Sequence, residues 1–451
     1  MIARRLAEWV TEPGPIPEAV DRAASRHLAD GLATALGAVR RSQGGPAVTV
    51  ASGLGGPPEA TVLAGGAKLS APAAALANGT LMHALDFDDT HAGGLVHATS
   101  VVAPAAFAVG EQVGATGREV LSAAVVGYEV VCRIAAAAPN GFHARGVHAT
   151  MAAGVFSSAA VAARLMALDA ETTTHALGIA GSQAGGLLAF LATGASTKQL
   201  HPGFASQSGI LAARLAAAGA TGPDTVLDGP AGLFDVLTDG TAAPESVVAE
   251  LGERWETTRI GIKPYPACQL SHATLDAVLA ARAANPFSVE EIVAVRADVH
   301  PDSAAVVCDP NRDLSRPASD YAAKFSLPWS VAALIVDGHL GLDSFTTASI
   351  ARSDVADLAA RVQVRVTGAG GFAAADAIGR VELQLSDGRT IHGEVPRSAG
   401  GPQNPLSDEA LTAKASGLLG QDATRLFELA RDLPTAPDLE ALLGAIATTL
   451  D

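Results

Sequence analysis

Ala-Ala-Ala-Leu-Ala-Asn-Gly-Thr-Leu-Met-His-Ala-Leu-Asp-Phe-Asp-Asp-Thr-His, running from Ala73 to His91, is the stretch on which the reading of this chain turns. Up to Leu85 it is almost wholly small or apolar, and it predicts a buried helix. From Asp86 to His91 it sets three carboxylates and an imidazole in six positions, in a chain with only 17% charged residues. Acidic side chains resist burial unless they are paired, hydrogen-bonded or metal-bound. A buried helix running straight into such a string predicts a helical body with the string at the mouth of a cavity.

The composition extends that reading outward. The 451 residues are 49% hydrophobic but only 4% aromatic, and Ala and Gly crowd the sequence. Small side chains let helices approach closely, which suits a compact helical body. The net charge of −16 argues against a nucleic-acid partner, since phosphates demand basic patches. It does not argue against an anionic small molecule, because a local cluster of Lys, Arg and His overrides the global field. Cys132, Cys268 and Cys308 are far apart and lack zinc-like spacing, which predicts a reducing compartment without disulfides. Glu8 and Pro13 interrupt any leader-like apolar run at the N-terminus. The uncharged stretch 176–197 carries Gly178, Gly181, Gly185, Gly186 and Gly194, which fits a broken buried segment better than a membrane span. The expectation is a cytoplasmic protein with no membrane partner.

Residues 1–260 read as successive helices, among them 100–113, 118–138, 148–167 and 171–178, interrupted over 48–63 by a Gly/Pro-rich loop with a short strand or two. After Lys263 the period changes. Val293, Val295 and Val299 alternate with Ala294, Arg296 and Asp298, and Val362, Val364 and Val366 repeat the pattern. Val381, Leu383 and Leu385 lead through Ser386-Asp387-Gly388-Arg389 into a second strand over 390–395, a hairpin with its turn written out. Helical stretches lie between the strands at 273–284 and 329–337. A Gly/Pro-rich boundary follows at 396–405, and Ser407 caps a final helical region. The fold class is therefore mainly α. A large helical domain, 1–261, is completed by 399–451, and a smaller α+β domain, 262–398, is inserted between them.

Four segments bearing His or Lys precede predicted helices. They hold His97; His143 with Arg145; Lys198 with His201, ahead of a helix over 204–218; and Lys263, ahead of one over 271–284. Helix starts offer unpaired N–H groups and partial positive charge, so they attract carboxylates and phosphates. Several converging would suit a substrate with several carboxylates. Cys268 carries two open readings: a proton-transfer group or nucleophile flanked by Lys263 and His272, or a small buried residue. Asp86, Asp88 and Asp89 invite comparison with the Mg²⁺-binding helix ends of terpene synthases. Those enzymes need an aromatic-lined pocket, and this chain has three Trp, three Tyr and twelve Phe. His143 and His148 lack the HExxH pattern, and Gly53 to Pro58 lacks a strand–helix setting, so neither a metal nor a dinucleotide cofactor is expected.

Six ordered motifs resemble the MmgE/PrpD family, which includes 2-methylcitrate dehydratases, cis-aconitate decarboxylases and iminodisuccinate epimerases. They are Ala77-Asn78-Gly79 through Asp86-Phe87-Asp88-Asp89-Thr90-His91, then His97, Gly141-Phe142-His143 and Thr197-Lys198-Gln199-Leu200-His201-Pro202-Gly203. Lys263-Pro264-Tyr265-Pro266-Ala267-Cys268 and Ala323-Lys324-Phe325-Ser326-Leu327-Pro328 complete the set. The resemblance implies an inserted α+β lid, a homodimer, and a site that uses no metal or organic cofactor. It places Asp86, Thr90, His97, His143, Lys198 and Lys263 on active-site positions. The sequence departs from some cis-aconitate decarboxylases at Cys268, where they carry His, at Trp329, where they carry Tyr, and at Ala98, where Pro is common.

The expected activity is that of a lyase on a small di- or tricarboxylate, with 2-methylcitrate dehydratase-like chemistry first. Decarboxylation, epimerisation and a dehydratase of specialised metabolism are the alternatives. A catalytically silent binding protein on the same fold is the rival from another class. Asp86, His97, His143, Lys198 and Lys263 are the expected catalytic residues. Thr90, His201, Cys268 and His272 are the expected substrate contacts. The two lysines would hold carboxylates and stabilise enolate-like charge, and His97, oriented by Asp86, would share acid and base roles with His143.

Overall fold

The apolar run forms the helix Ala71–His83, and every one of its residues is buried. Pro72 sits in its first turn, where the missing N–H has no partner to lose. The chain then turns through Asp86, whose φ of 51° lies in the left-handed region. Aspartate tolerates that region better than most residues with a side chain. From Ala84 to His91 no residue is more than 8% exposed. The string is buried, and its carboxylates find partners inside the protein.

The structure is a computed structural model that describes residues 1–368 and 373–449. These are mainly helical and group into two units. One holds Met1–Leu188, Thr197–Ile262 and the chain from Ser407 on; the other holds Ala189–Ser196 and Lys263–Leu406. No helix among the described residues is long and apolar enough to cross a membrane.

In the helical unit, the helix Thr197–Ala217 packs against Ala71–His83 and against Ala149–Leu165. Glycine makes the first contact possible. A Cβ on Gly203 would stand 2.3 Å from the Leu76 carbonyl oxygen, and one on Gly79 would stand 2.9 Å from the Gly203 Cα. The backbones therefore touch. Leu28, Leu32 and Leu36 line one face of Glu18–Arg40 and are fully buried, worth roughly 2 kcal/mol each. Against that helix packs Asp408–Leu419, whose start is capped by Ser407 accepting from the Ala410 N–H at 3.2 Å.

Two sequence expectations need correcting here. The loop expected from 48 is helical as far as Gly53, within Gly45–Gly53 with Pro46 in its first turn; the short strand also expected there is Ala60–Thr61. The helix expected from Phe204 begins at Thr197 and runs through Pro202. Both errors treat Pro and Gly as breakers. At Pro202 and Gly203 the close approach to Ala71–His83 outweighs the lost hydrogen bond.

The smaller unit is built on a four-stranded sheet with the strand order Val362–Val366, Ile292–Val299, Gly379–Leu385, Thr390–Val395. The first pair is parallel, with Val295 opposite Val362; the other pairs are antiparallel, with Leu383 between Val295 and Ile391. Gly388, at φ 89°, makes the hairpin turn. The helix His272–Ala284 lies so close to the hairpin that a Cβ on Gly379 or Gly393 would collide with the carbonyls of Ala273 or Ala277. Trp329 belongs to this unit's apolar core and is fully buried in Leu327–Asp337.

Candidate active site

The loop after Ala71–His83 meets the start of Thr197–Ala217. Lys198 lies in that helix's first turn and points its Nζ at Asp86 Oδ1, 2.6 Å away, with both side chains buried. Gln199 donates to the Ala84 carbonyl at 3.0 Å and ties the two segments together. Sequence spacing puts Lys198 and His201 ahead of the helix; the structure puts them within it, on the turn that faces the loop.

Five imidazoles gather beside this ion pair. His83 closes Ala71–His83, His97 precedes Thr99–Val113, and His148 is the N-cap residue of Ala149–Leu165. The His83 and His97 rings are 4.7 Å apart, His83 and His148 5.9 Å, and His97 and His148 5.9 Å. His201 stands 5.2 Å from His148, and His143, in the short helix Gly141–Ala144, stands 6.2 Å from it.

Each of the three central rings is held through Nδ1. His83 Nδ1 donates to Asp88 Oδ2 at 2.7 Å. His97 Nδ1 faces the Asp89 carbonyl at 2.9 Å, so it carries a proton and the neutral ring presents a basic Nε2. Thr90 Oγ1 lies 3.3 Å from the same Nδ1, and Asp88 Oδ2 3.9 Å. His148 Nδ1 meets His201 Nδ1 at 3.0 Å, so one of them donates and the other accepts. Asp89 faces away from the rings. It accepts from the Thr99 N–H at 3.0 Å, capping that helix, and pairs with His27 at 3.0 Å. His91 bonds Glu256 at 3.0 Å.

Burial and the nearby lysine keep several of these rings neutral. Desolvation, reinforced by Lys198, pushes His143 down to about 4. His201 is likewise lowered to about 4, by desolvation and then by His83 and Lys198. His148 falls well below the usual imidazole range, through desolvation first and then the charges of His201 and Lys198. The site thus combines one buried ammonium with imidazoles that stay uncharged near neutrality, a set suited to holding a carboxylate and moving a proton.

Ligand-forming atoms also converge. One ring nitrogen each from His83, His97 and His148 lie within 4.8 Å of one another, as do donor atoms of His83, Asp86, Asp88 and His97.

Of the residues singled out in the sequence, Asp86, Thr90, His97, His143, Lys198 and His201 come together in the helical unit. Lys263, Cys268 and His272 belong to the smaller unit. There Lys263 is fully buried, the Cys268 N–H donates to the Lys324 carbonyl at 2.9 Å, and His272 Nε2 meets the Ala267 carbonyl at 3.1 Å. Sequence reasoning missed His83 and His148 at the centre of the cluster. A signal for His148 existed: the tripeptide His-Ala-Thr occurs at 97–99, 148–150 and 272–274, each time at the start of a helix. His83 offers only its five-residue spacing to Asp88.

Comparison with known proteins gives a consistent picture. Residues 4–245 match the MmgE/PrpD N-terminal domain, and residues 265–427 match the MmgE/PrpD C-terminal domain. A cis-aconitate decarboxylase-like protein, oryM, from Aspergillus oryzae is 27% identical over 100% of this chain and 98% of its own length. Cis-aconitate decarboxylase from Aspergillus terreus is 29% identical over 95% of the chain and 91% of its own. The Homo sapiens protein of that name is 29% identical over 82% of the chain and 78% of its own.

Proposed function

This chain belongs to the MmgE/PrpD family, and we propose that it is a lyase acting on a small di- or tricarboxylate, with decarboxylation of a cis-aconitate-like acid as its leading reaction. The sequence alone ranks dehydration first. The names of the relatives reverse that order. The observation that carries the reading is the buried Lys198–Asp86 pair set among imidazoles, because an ammonium beside neutral bases matches a carboxylate whose neighbouring carbon gains or loses a proton.

In this proposal Lys198 holds a substrate carboxylate, exchanging part of its contact with Asp86 for the incoming anion. As the C–C bond to the departing carboxylate breaks, the electron pair stays on carbon and spreads towards the carboxylate that Lys198 binds. His97 Nε2, with Nδ1 anchored on the Asp89 carbonyl, first takes a proton from solvent, Asp88 supporting the imidazolium so formed, and then delivers that proton to the carbon. His143 and His148, held neutral, complete the proton path, while Thr90 and His201 contact substrate. Lys263 is proposed as a further contributor on the family resemblance, Cys268 and His272 on their nearness to it in sequence, and the homodimer on the family resemblance.

Dehydration is the second reading. It is favoured by Trp329: where some decarboxylases carry a tyrosine, this chain has a side chain fully buried in apolar core that offers no hydroxyl. In that reaction His97 would act as base and a second imidazole would protonate the departing hydroxyl.

Incubation with cis-aconitate, 2-methylcitrate, citrate and iminodisuccinate in D₂O, followed by NMR, separates these outcomes. Loss of CO₂ with one deuteron gained marks decarboxylation, loss of water marks dehydration, and exchange alone marks epimerisation. A folded protein inert towards all four, or full turnover in His97→Ala, would remove the proposal.

A further inference from the structure

We infer that His83, His97 and His148 form a binding site for a divalent transition cation of the zinc type. Three imidazole nitrogens with an open fourth position are a standard zinc donor set. Here one ring nitrogen from each lies within 4.8 Å of the others, close enough for small side-chain rotations to bring them to the roughly 3.4 Å edges of a tetrahedral zinc site.

The surroundings of the rings argue the same way. Metal-binding histidines commonly give their second ring nitrogen to a carboxylate, a backbone carbonyl or another polar group, which fixes ring orientation and raises basicity. All three rings show such a partner at Nδ1: the Asp88 carboxylate, the Asp89 carbonyl and His201. The other ring nitrogen is Nε2. On His83 that atom is buried and has no hydrogen-bond partner among the described residues, an arrangement that costs free energy in the absence of a ligand. Asp86 and Asp88 have oxygens in the overlapping donor set with His83 and His97, so a carboxylate is at hand for the fourth position and for charge balance. An imidazole-rich set selects Zn²⁺, Co²⁺, Ni²⁺ or Cu²⁺ over Mg²⁺ and Ca²⁺, which prefer oxygen.

Because His97 is also the proposed proton donor, an occupied site would block turnover; that consequence, unlike the binding, rests on the function proposed above. Chelator-treated full-length protein titrated with Co²⁺ should take up one equivalent with the intense visible bands of four-coordinate cobalt, displaced by Zn²⁺. His83→Asn and His148→Asn should each weaken binding at least about 100-fold, whereas His392→Asn, at an exposed strand position, should leave it unchanged. X-ray absorption at the zinc edge on wild-type protein should count three imidazoles without relying on any variant. Weak six-coordinate bands, binding that survives both histidine changes, or fewer than two imidazoles would overturn the site. Tight His83-dependent binding that leaves turnover intact would overturn the blocking role alone.

Discussion

Two buried lysine–aspartate pairs grip the same loop, and their surroundings differ. Lys414, from Asp408–Leu419, sits 2.7 Å from Asp30, 2.8 Å from the Phe87 carbonyl and 4.1 Å above the Phe87 ring. Lys198 sits 2.6 Å from Asp86, one residue earlier in the loop. Around Lys414 stand the Asp30 carboxylate, the Phe87 carbonyl and the Phe87 ring, which hold its ammonium in place. Desolvation lowers its pKa while Asp30 opposes that fall, and desolvation raises Asp30. Around Lys198 stand His143, His148 and His201, each of which registers its charge. The same pair of residue types braces the loop at one end and addresses a ligand at the other. Identity of the pair does not decide its role; the neighbours do.

The sharpest way to break this comparison is to remove each lysine in turn. Lys198→Met should lower turnover by at least about 10³-fold, roughly 4 kcal/mol of lost transition-state stabilisation, measured per folded molecule under saturating substrate. Lys414→Met should instead cost stability, about 3–5 kcal/mol by urea unfolding, because Asp30 is left buried without its counter-charge. The folded fraction of that variant should keep turnover within about fivefold of wild type. Equal losses of activity in both variants would erase the distinction.

A smaller effect concerns pH. His143 and His201 have folded-state pKa values near 4, below the ordinary imidazole value of 6.5. Between those values the unfolded chain binds more protons than the folded one. Their contribution to stability is therefore complete above pH 6.5 and is lost as pH falls towards 4, on the order of 2–3 kcal/mol for each group. Unfolding midpoints at pH 7.5, 5.5 and 4.5 should trace that decline, and His143→Gln should flatten it. A flat profile in the wild type would show that the rings are not held neutral by burial.

Much of this was readable from the chain. The strands over Ile292–Val299 and Gly379–Leu385 announce themselves through alternation, and the helical body through its small apolar runs. Asp86, Thr90, His97 and Lys198 stand in motifs with recognisable composition. His83 was hidden because it lies in an apolar helix, where a lone imidazole gives no local sign that Asp88 will turn back to meet it. His143 and His148 flank one turn, and only packing decides which ring reaches the centre. Pro202 and Gly203 misled for a related reason. Their local preference is to end a helix, and the contact that overrides it lies far upstream, at Leu76 and Gly79.

That contact sets a length. Gly79 and Gly203 let two helix backbones touch, so the spacing between Lys198 and Asp86, which follow from that contact along the two segments, is governed by the thickness of a peptide chain and not by any side chain at the site. A methyl group at either glycine would act as a shim, prising the helices apart and widening the gap across which charge and proton must pass. The reach of the chemistry is thus gauged by two residues that take no part in it.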